Sequence, residues 1–214
     1  MEKQFWFERW ENQDIGFHES TVNQYLKKYI QRICPMGGHV FVPLCGKTLD
    51  IGWLLDNGYK VTGVELSSKA IDALFSQLQR TPDIKTMGKF IAYSAPGITI
   101  YEGDIFDLKQ IHLLDVDCVY DRASLVALPE DLRTRYTFHL PTISNYAAQL
   151  LITLNYDVSL MKGPPFAITT DDVKRYYSHA YSLTKLETSI LPEKLKGKCT
   201  VESTAWLITK REGQ

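Results

Sequence analysis

Apolar residues recur at three- and four-residue spacing from Val22 through Tyr25, Leu26, Tyr29 and Ile30 to Ile33, which places them on one stripe of a helix. Cys34-Pro35 and Gly37-Gly38 end the pattern. Val40-Phe41-Val42 then forms a short apolar run that stops at Pro43, and a helical period returns from Leu49 through Ile51, Trp53, Leu54 and Leu55 until Asn57-Gly58 closes it. This reads as strand, loop, helix. The unit repeats at once: Lys60 to Val64 predicts a strand, and Ala70, Ile71, Leu74, Phe75 and Leu78 line one face of a helix starting at Ser67 or Ser68, either of which can cap it.

Residues 81 to 97 carry Pro82, Gly88, Pro96 and Gly97 without a clean period, which predicts an irregular surface excursion. Beyond it, Ile98 to Tyr101, Val116 to Tyr120 and Ala148 to Tyr156 read as strands. Pro129 to about Ile143 reads as a helix that Pro141 should kink or shorten. Thr170 should cap a helix from Asp171 to Ala180, and Tyr181 to Ile190 and Val201 to Thr209 finish the chain as strands. Seven strands alternating with helices and ending in a strand pair predict an α/β fold: a Rossmann-like, mostly parallel sheet with an antiparallel edge and helices on both faces. No internal repeat or linker-like tract interrupts the 214 residues, so 1–214 is read as a single domain.

Composition narrows the class. Apolar residues at 44% and charged residues at 23% suit a folded globular chain. Lys and Arg number 24 against 25 Asp and Glu, so the charge excess of a dedicated nucleic-acid binder is missing. No apolar run approaches the roughly 20 residues that span a bilayer, and Met1-Glu2-Lys3-Gln4 opens into charged, aromatic sequence unlike a signal peptide. A cytoplasmic protein with neither a membrane nor a nucleic-acid partner is expected. Cys34, Cys45, Cys118 and Cys199 include no C-x-x-C pair, and His18, His39, His112, His139 and His179 are scattered; a reducing compartment and no metal site are expected.

In such a sheet, ligands bind beyond the carboxyl ends of the strands where the strand order reverses. The residues that follow each strand are therefore the candidates. Pro43-Leu44-Cys45-Gly46-Lys47-Thr48 follows the first strand, and Gly46 lets the backbone approach a ligand closely. Glu65 follows the second, 19 positions after Gly46, near the spacing at which a carboxylate accepts hydrogen bonds from ribose hydroxyls. Gly103-Asp104-Ile105-Phe106 follows the third and Asp121-Arg122 the fourth. A purely structural reading stands beside each: Gly46 as a helix-start glycine, Glu65 as a solvated cap before Ser67. Gly46-Lys47-Thr48 resembles the end of a P-loop, but Phe41 stands where its first glycine is required. The dinucleotide pattern G-x-G-x-x-G fails too, because this turn supplies one glycine. A nucleoside ligand without a pyrophosphate fits better.

The run Val42-Pro43-Leu44-Cys45-Gly46-Lys47-Thr48-Leu49-Asp50, continuing through Trp53-Leu54 to Gly63-Val64-Glu65-Leu66-Ser67, resembles the signature of the thiopurine S-methyltransferase family. Trp6-x-x-x-Trp10 with Ile15-Gly16-Phe17-His18, Gly103-Asp104-Ile105-Phe106-Asp107-Leu108, Asp121-Arg122-Ala123 and Gly163-Pro164-Pro165-Phe166 resemble further family segments, in order along nearly the whole chain. The resemblance implies a seven-stranded methyltransferase fold that binds S-adenosylmethionine and methylates a sulfur acceptor such as a thiopurine or another aromatic or heterocyclic thiol. In some bacterial members the acceptors include selenium or tellurium compounds.

The resemblance also implies roles for single residues. Trp10, Leu44 and Gly46 would lie against the cofactor, Glu65 would hold the ribose, and Asp104 and Ile105 would contact the adenine. Arg122 would stand near the methionine end and the acceptor, and Phe17 between the two. His18 is the one nearby candidate base, with a ring simply packed under the lid as the preferred reading. Residues 1–34 would form an amino-terminal cap over the cofactor. The segments 81–97 and 192–199 are candidates for shaping the acceptor site, and a monomer is expected. The alternatives are a noncatalytic sensor of an adenosine ligand and, against the missing glycines, a nicotinamide-dependent oxidoreductase.

Overall fold

The computed structural model describes residues 3–15, 18–113 and 116–211. Its helices are α1 (Lys3–Glu11), α2 (Gln24–Tyr29), α3 (Leu49–Asp56), α4 (Ser68–Gln77), α5 (Glu130–Ile143) and α6 (Thr170–Tyr177). Its strands are β1 (His39–Val42), β2 (Lys60–Glu65), β3 (Asp83–Met87), β4 (Phe90–Ala95), β5 (Ile98–Glu102), β6 (Cys118–Arg122), β7 (Ala148–Asn155), β8 (Tyr181–Ile190) and β9 (Glu202–Lys210).

The strands form one sheet in the order β3-β4-β5-β2-β1-β6-β7-β9-β8. β5, β2, β1, β6 and β7 are parallel, and antiparallel pairs flank them at both edges. Period-two alternation assigns each central side chain to a face. Phe41, Val119 and Leu151 join α5 and α6 in one core layer. Val40, Val42, Tyr120, Leu150 and Ile152 join α2, α3 and α4 in the other. The chain leaves β1 towards β2 and β5 and later returns to β6 on β1's other side, so strand order reverses between β1 and β6.

Seven of the nine strands match the expected set; the difference is the segment 81–97. It forms a hairpin, β3–β4, rather than an irregular excursion. The glycines that suggested irregularity are turn residues. Gly88, with φ +62°, joins β3 to β4, and Gly97, with φ +79° after Pro96, joins β4 to β5, each in a two-residue connection. Every residue of β3 is exposed, so no one-sided apolar pattern marks it. α5 runs through Pro141 and ends two residues later, where a missing N–H costs least helix. Thr169 rather than Thr170 caps α6, through a reciprocal capping box with Asp172.

Candidate active site

Beyond β1 the chain turns sharply into α3, which Thr48 caps by accepting a hydrogen bond from the Asp50 N–H. Leu44 has φ +44° and Gly46 φ +51° in this turn, and Ala123, immediately after Arg122 on the neighbouring strand, has φ +65°. A left-handed leucine and alanine are strained, and strain of this kind clusters at functional sites. Both lie beside the β1/β6 reversal.

Glu65 ends β2 with its carboxylate turned into this site. Oε2 accepts from Gly46 N–H at 2.9 Å, and Oε1 accepts from Leu66 and Ser67 N–H at 2.8 and 2.9 Å. Burial pushes its pKa up, opposed by these three donors. Glu65 is therefore no solvated cap. It ties the turn after β1 to the start of α4 across two strands. A carboxylate offers about four acceptor positions, so one further hydroxyl donor can be accommodated rather than two. Cys45, in the same turn, is buried, and burial with the nearby Glu65 raises its thiol pKa well above the ordinary range. It is packing rather than a nucleophile.

At the end of β5, Asp104 accepts from Phe106 N–H at 3.0 Å through Oδ1, and its Oδ2 pairs with Lys3 of α1 at 2.8 Å. Ile105 is buried in the core, so its side chain can offer a ligand only an edge. Lys3, Phe7, Leu66, Ile91, Gly103 and Asp104 line a cleft of about 300 Å³ here. The β3–β4 hairpin thus borders the Asp104 end of the site. In the sheet, β5, β2 and β1 separate this hairpin from the strand of Arg122.

Arg122, the last residue of β6, is nearly buried. Its Nη1 donates to Asp50 Oδ2 at 3.1 Å and to Thr48 Oγ1 at 3.3 Å, while Nη2 pairs with Glu19 Oε1 at 2.6 Å. The adjacent Asp121 takes no part; its carboxylate accepts from Leu125 N–H and the Tyr136 hydroxyl. His18 lies within electrostatic reach of Lys47 and Arg122. Burial first, and then those two cations, hold its pKa below the ordinary imidazole value, which favours the neutral ring. Trp10 is buried with its ring against Gly46. Phe17 lies outside the described residues.

The segment 192–199 is tied to the 163–166 loop, and that loop to the residues that follow β6. Lys196 Nζ donates to Pro164 O at 2.9 Å, and Phe166 N–H donates to Val126 O at 2.6 Å. Both loops are held by a small core of Tyr156, Met161, Cys199 and Val201. The sequence reading missed Asp50, Thr48 and Glu19 as partners of Arg122. An acidic residue in a first helical turn reads as a complement to the helix dipole, and nothing in the local pattern shows that Asp50 is buried.

The site combines a close-approach turn, a buried carboxylate, a second carboxylate one strand further out and a guanidinium across the strand reversal. The model of the thiopurine S-methyltransferase family matches residues 1–211. A thiopurine S-methyltransferase of Xanthobacter autotrophicus is 43% identical over 212 residues, covering 98% of this chain and 100% of that one. One of Teredinibacter turnerae is 44% identical over 210 residues, covering 98% of each. Among solved structures, a SAM-dependent methyltransferase from Anabaena variabilis has a TM-score of 0.66 at 15% identity, with 97% of this chain and 94% of that chain covered. The magnesium protoporphyrin IX methyltransferase of Synechocystis, solved with bound SAH, has a TM-score of 0.64 at 13% identity, with 98% and 100% covered.

Proposed function

Because the chain belongs to the thiopurine S-methyltransferase family, and is thereby an S-adenosylmethionine-dependent methyltransferase, we propose that it methylates the sulfur of an aromatic or heterocyclic thiol, thiopurines among them. The observation that carries this reading is the outward edge of Arg122, a cation at the strand reversal with its Nη2 held by the half-exposed Glu19. An anionic sulfur is the acceptor such an edge suits.

The residues present fit the methyl donor. Gly46 holds the turn after β1 in a left-handed conformation under Trp10, Glu65 has one acceptor position left for a ribose hydroxyl, and Asp104, at the end of β5, is our candidate acceptor for an adenine amino group. S-adenosylmethionine supplies a methyl carbon already activated by its sulfonium. The protein therefore has to align the acceptor and exclude water more than move protons. α1 and Trp10 cover the turn after β1, and Arg122 favours the thiolate. His18, with its neutral ring favoured, can take the proton of a thiol that arrives un-ionised.

Incubation with labelled S-adenosylmethionine and a panel of thiophenols, thiopurines, selenite and tellurite tests the assignment. Label transferred to a thiol is expected. Transfer to the selenium or tellurium compounds alone would move the acceptor to metalloids, and binding without any transfer would make the protein a sensor.

A further inference from the structure

Asp50 opens α3 yet is fully buried. A carboxylate taken out of water has to be compensated by donors, and three converge on this one. Oδ1 accepts from the Asn23 N–H at 2.8 Å, and Oδ2 accepts from the Tyr120 hydroxyl at 2.9 Å and from Arg122 Nη1 at 3.1 Å. Arg122 is thus held by its inner edge, with Thr48 Oγ1 as a second acceptor on the same nitrogen. Its outer nitrogen faces Glu19, whose side chain is 47% exposed against 1% for Asp50. One carboxylate is fixed and the other is exchangeable.

This asymmetry matters because a guanidinium on a flexible stem loses rotamer freedom whenever it has to meet a partner. We infer that Asp50 is a positioning residue for methyl transfer: it fixes Arg122 so that the Nη2 edge stays turned towards the acceptor sulfur. Through the Asn23 N–H it also joins that orientation to the start of α2, where the amino-terminal segment meets the core. The inference rests on the reading that Arg122 serves the acceptor. Glu19 holds the outer nitrogen until an anionic acceptor replaces it, whereas Asp50 stays.

Steady-state kinetics with thiophenol, together with calorimetric binding of S-adenosylhomocysteine, test this in Asp50→Asn, Arg122→Met and the double variant. Asp50→Asn is expected to lower kcat at least tenfold while changing S-adenosylhomocysteine affinity less than threefold. Because Asp50 acts through Arg122, the double variant should turn over within twofold of Arg122→Met. Gly37→Ala, which strains a left-handed turn before β1, at the opposite end of that strand from the site, should lower Tm and keep kcat within threefold. Native turnover in Asp50→Asn beside an impaired Arg122→Met would overturn the inference alone. Native turnover in Arg122→Met would remove the acceptor reading and the inference with it. Should Asp50→Asn fail to fold, Asp50→Glu takes its place: it keeps a charge beside Arg122 but displaces the guanidinium, so a tenfold loss of kcat with unchanged S-adenosylhomocysteine affinity is expected, and native turnover refutes the role.

Discussion

The indole of Trp10 rests on Gly46: a Cβ added at that glycine would stand 3.1 Å from Cζ2 of the ring. The end of α1 is therefore seated directly on the turn that follows β1, and the same glycine has φ +51°. Close approach and left-handed backbone coincide at one residue, so a side chain added there would be strained and would also crowd the indole.

Gly46→Ala should accordingly cost about 1–2 kcal/mol from backbone strain, and should also unseat Trp10. Gly37→Ala separates the two effects, because Gly37 has φ +77° with nothing within 4 Å of its added Cβ. Both variants are expected to melt lower, while only Gly46→Ala weakens S-adenosylhomocysteine binding. Equal binding in the two would mean that the Trp10 contact plays no part in holding the ligand.

Glu65→Ala should weaken S-adenosylmethionine and S-adenosylhomocysteine alike, since the ribose is common to both. Loss of a hydrogen bond to a charged acceptor costs about 1.5–3 kcal/mol, roughly tenfold to hundredfold in affinity. The variant should also lose stability, because three backbone N–H groups are orphaned with it. Unchanged affinity in folded protein would leave Glu65 as a tie between β1 and α4 only. NAD should not bind the native protein.

The parts of the fold legible in sequence are those where burial is one-sided or complete. Val40-Phe41-Val42 and Ala70-Ile71-Leu74-Phe75 announce a strand and a helix because their apolar pattern follows the core they face. β3 carries no such pattern, being exposed throughout, and its turn residues read as irregularity rather than as a hairpin. At the site, Gly46, Glu65, Asp104 and Arg122 stand at strand ends, as the alternation of elements requires. The strain at Leu44 and Ala123 left no trace, since neither residue type signals a positive φ. Asp50 escaped because its partners, Asn23, Tyr120 and Arg122, lie 27, 70 and 72 positions away. Local pattern holds no record of contacts at that range.

Besides the buried indole of Trp10, contacts that open easily join the amino-terminal helix to the site. Lys3 pairs with Asp104 and Glu11 with Lys69, all with partly or well exposed side chains, and such pairs are each worth about 0–1 kcal/mol. By contrast, Tyr25, Leu26 and Ile30 are buried in the core, so a segment that opens should end before Asn23 rather than extend to residue 34. Trypsin cleavage after Arg9 should be rapid in free protein and slowed by S-adenosylhomocysteine. Equal protection in both states would make α1 a permanent part of the structure.

Asp121 should give the protein a distinctive pH dependence. It is fully buried, and burial outweighs the hydrogen bonds from Tyr136 and Leu125 to push its pKa up to about 6 from 3.8. Between those values the folded state holds a proton that the unfolded state has released, so stability falls as pH rises, by about 1.4 kcal/mol per unit. The contribution is complete below the unfolded value and is lost above pH 6, about 3 kcal/mol in all. Asp121→Asn keeps an acceptor for the Leu125 N–H and cannot titrate. Denaturant unfolding of both proteins at pH 7, 6 and 5 should show the native protein gaining on the variant as pH falls. Parallel stability curves would mean that Asp121 ionises at its ordinary pKa, with water or a rearranged Tyr136 compensating its charge.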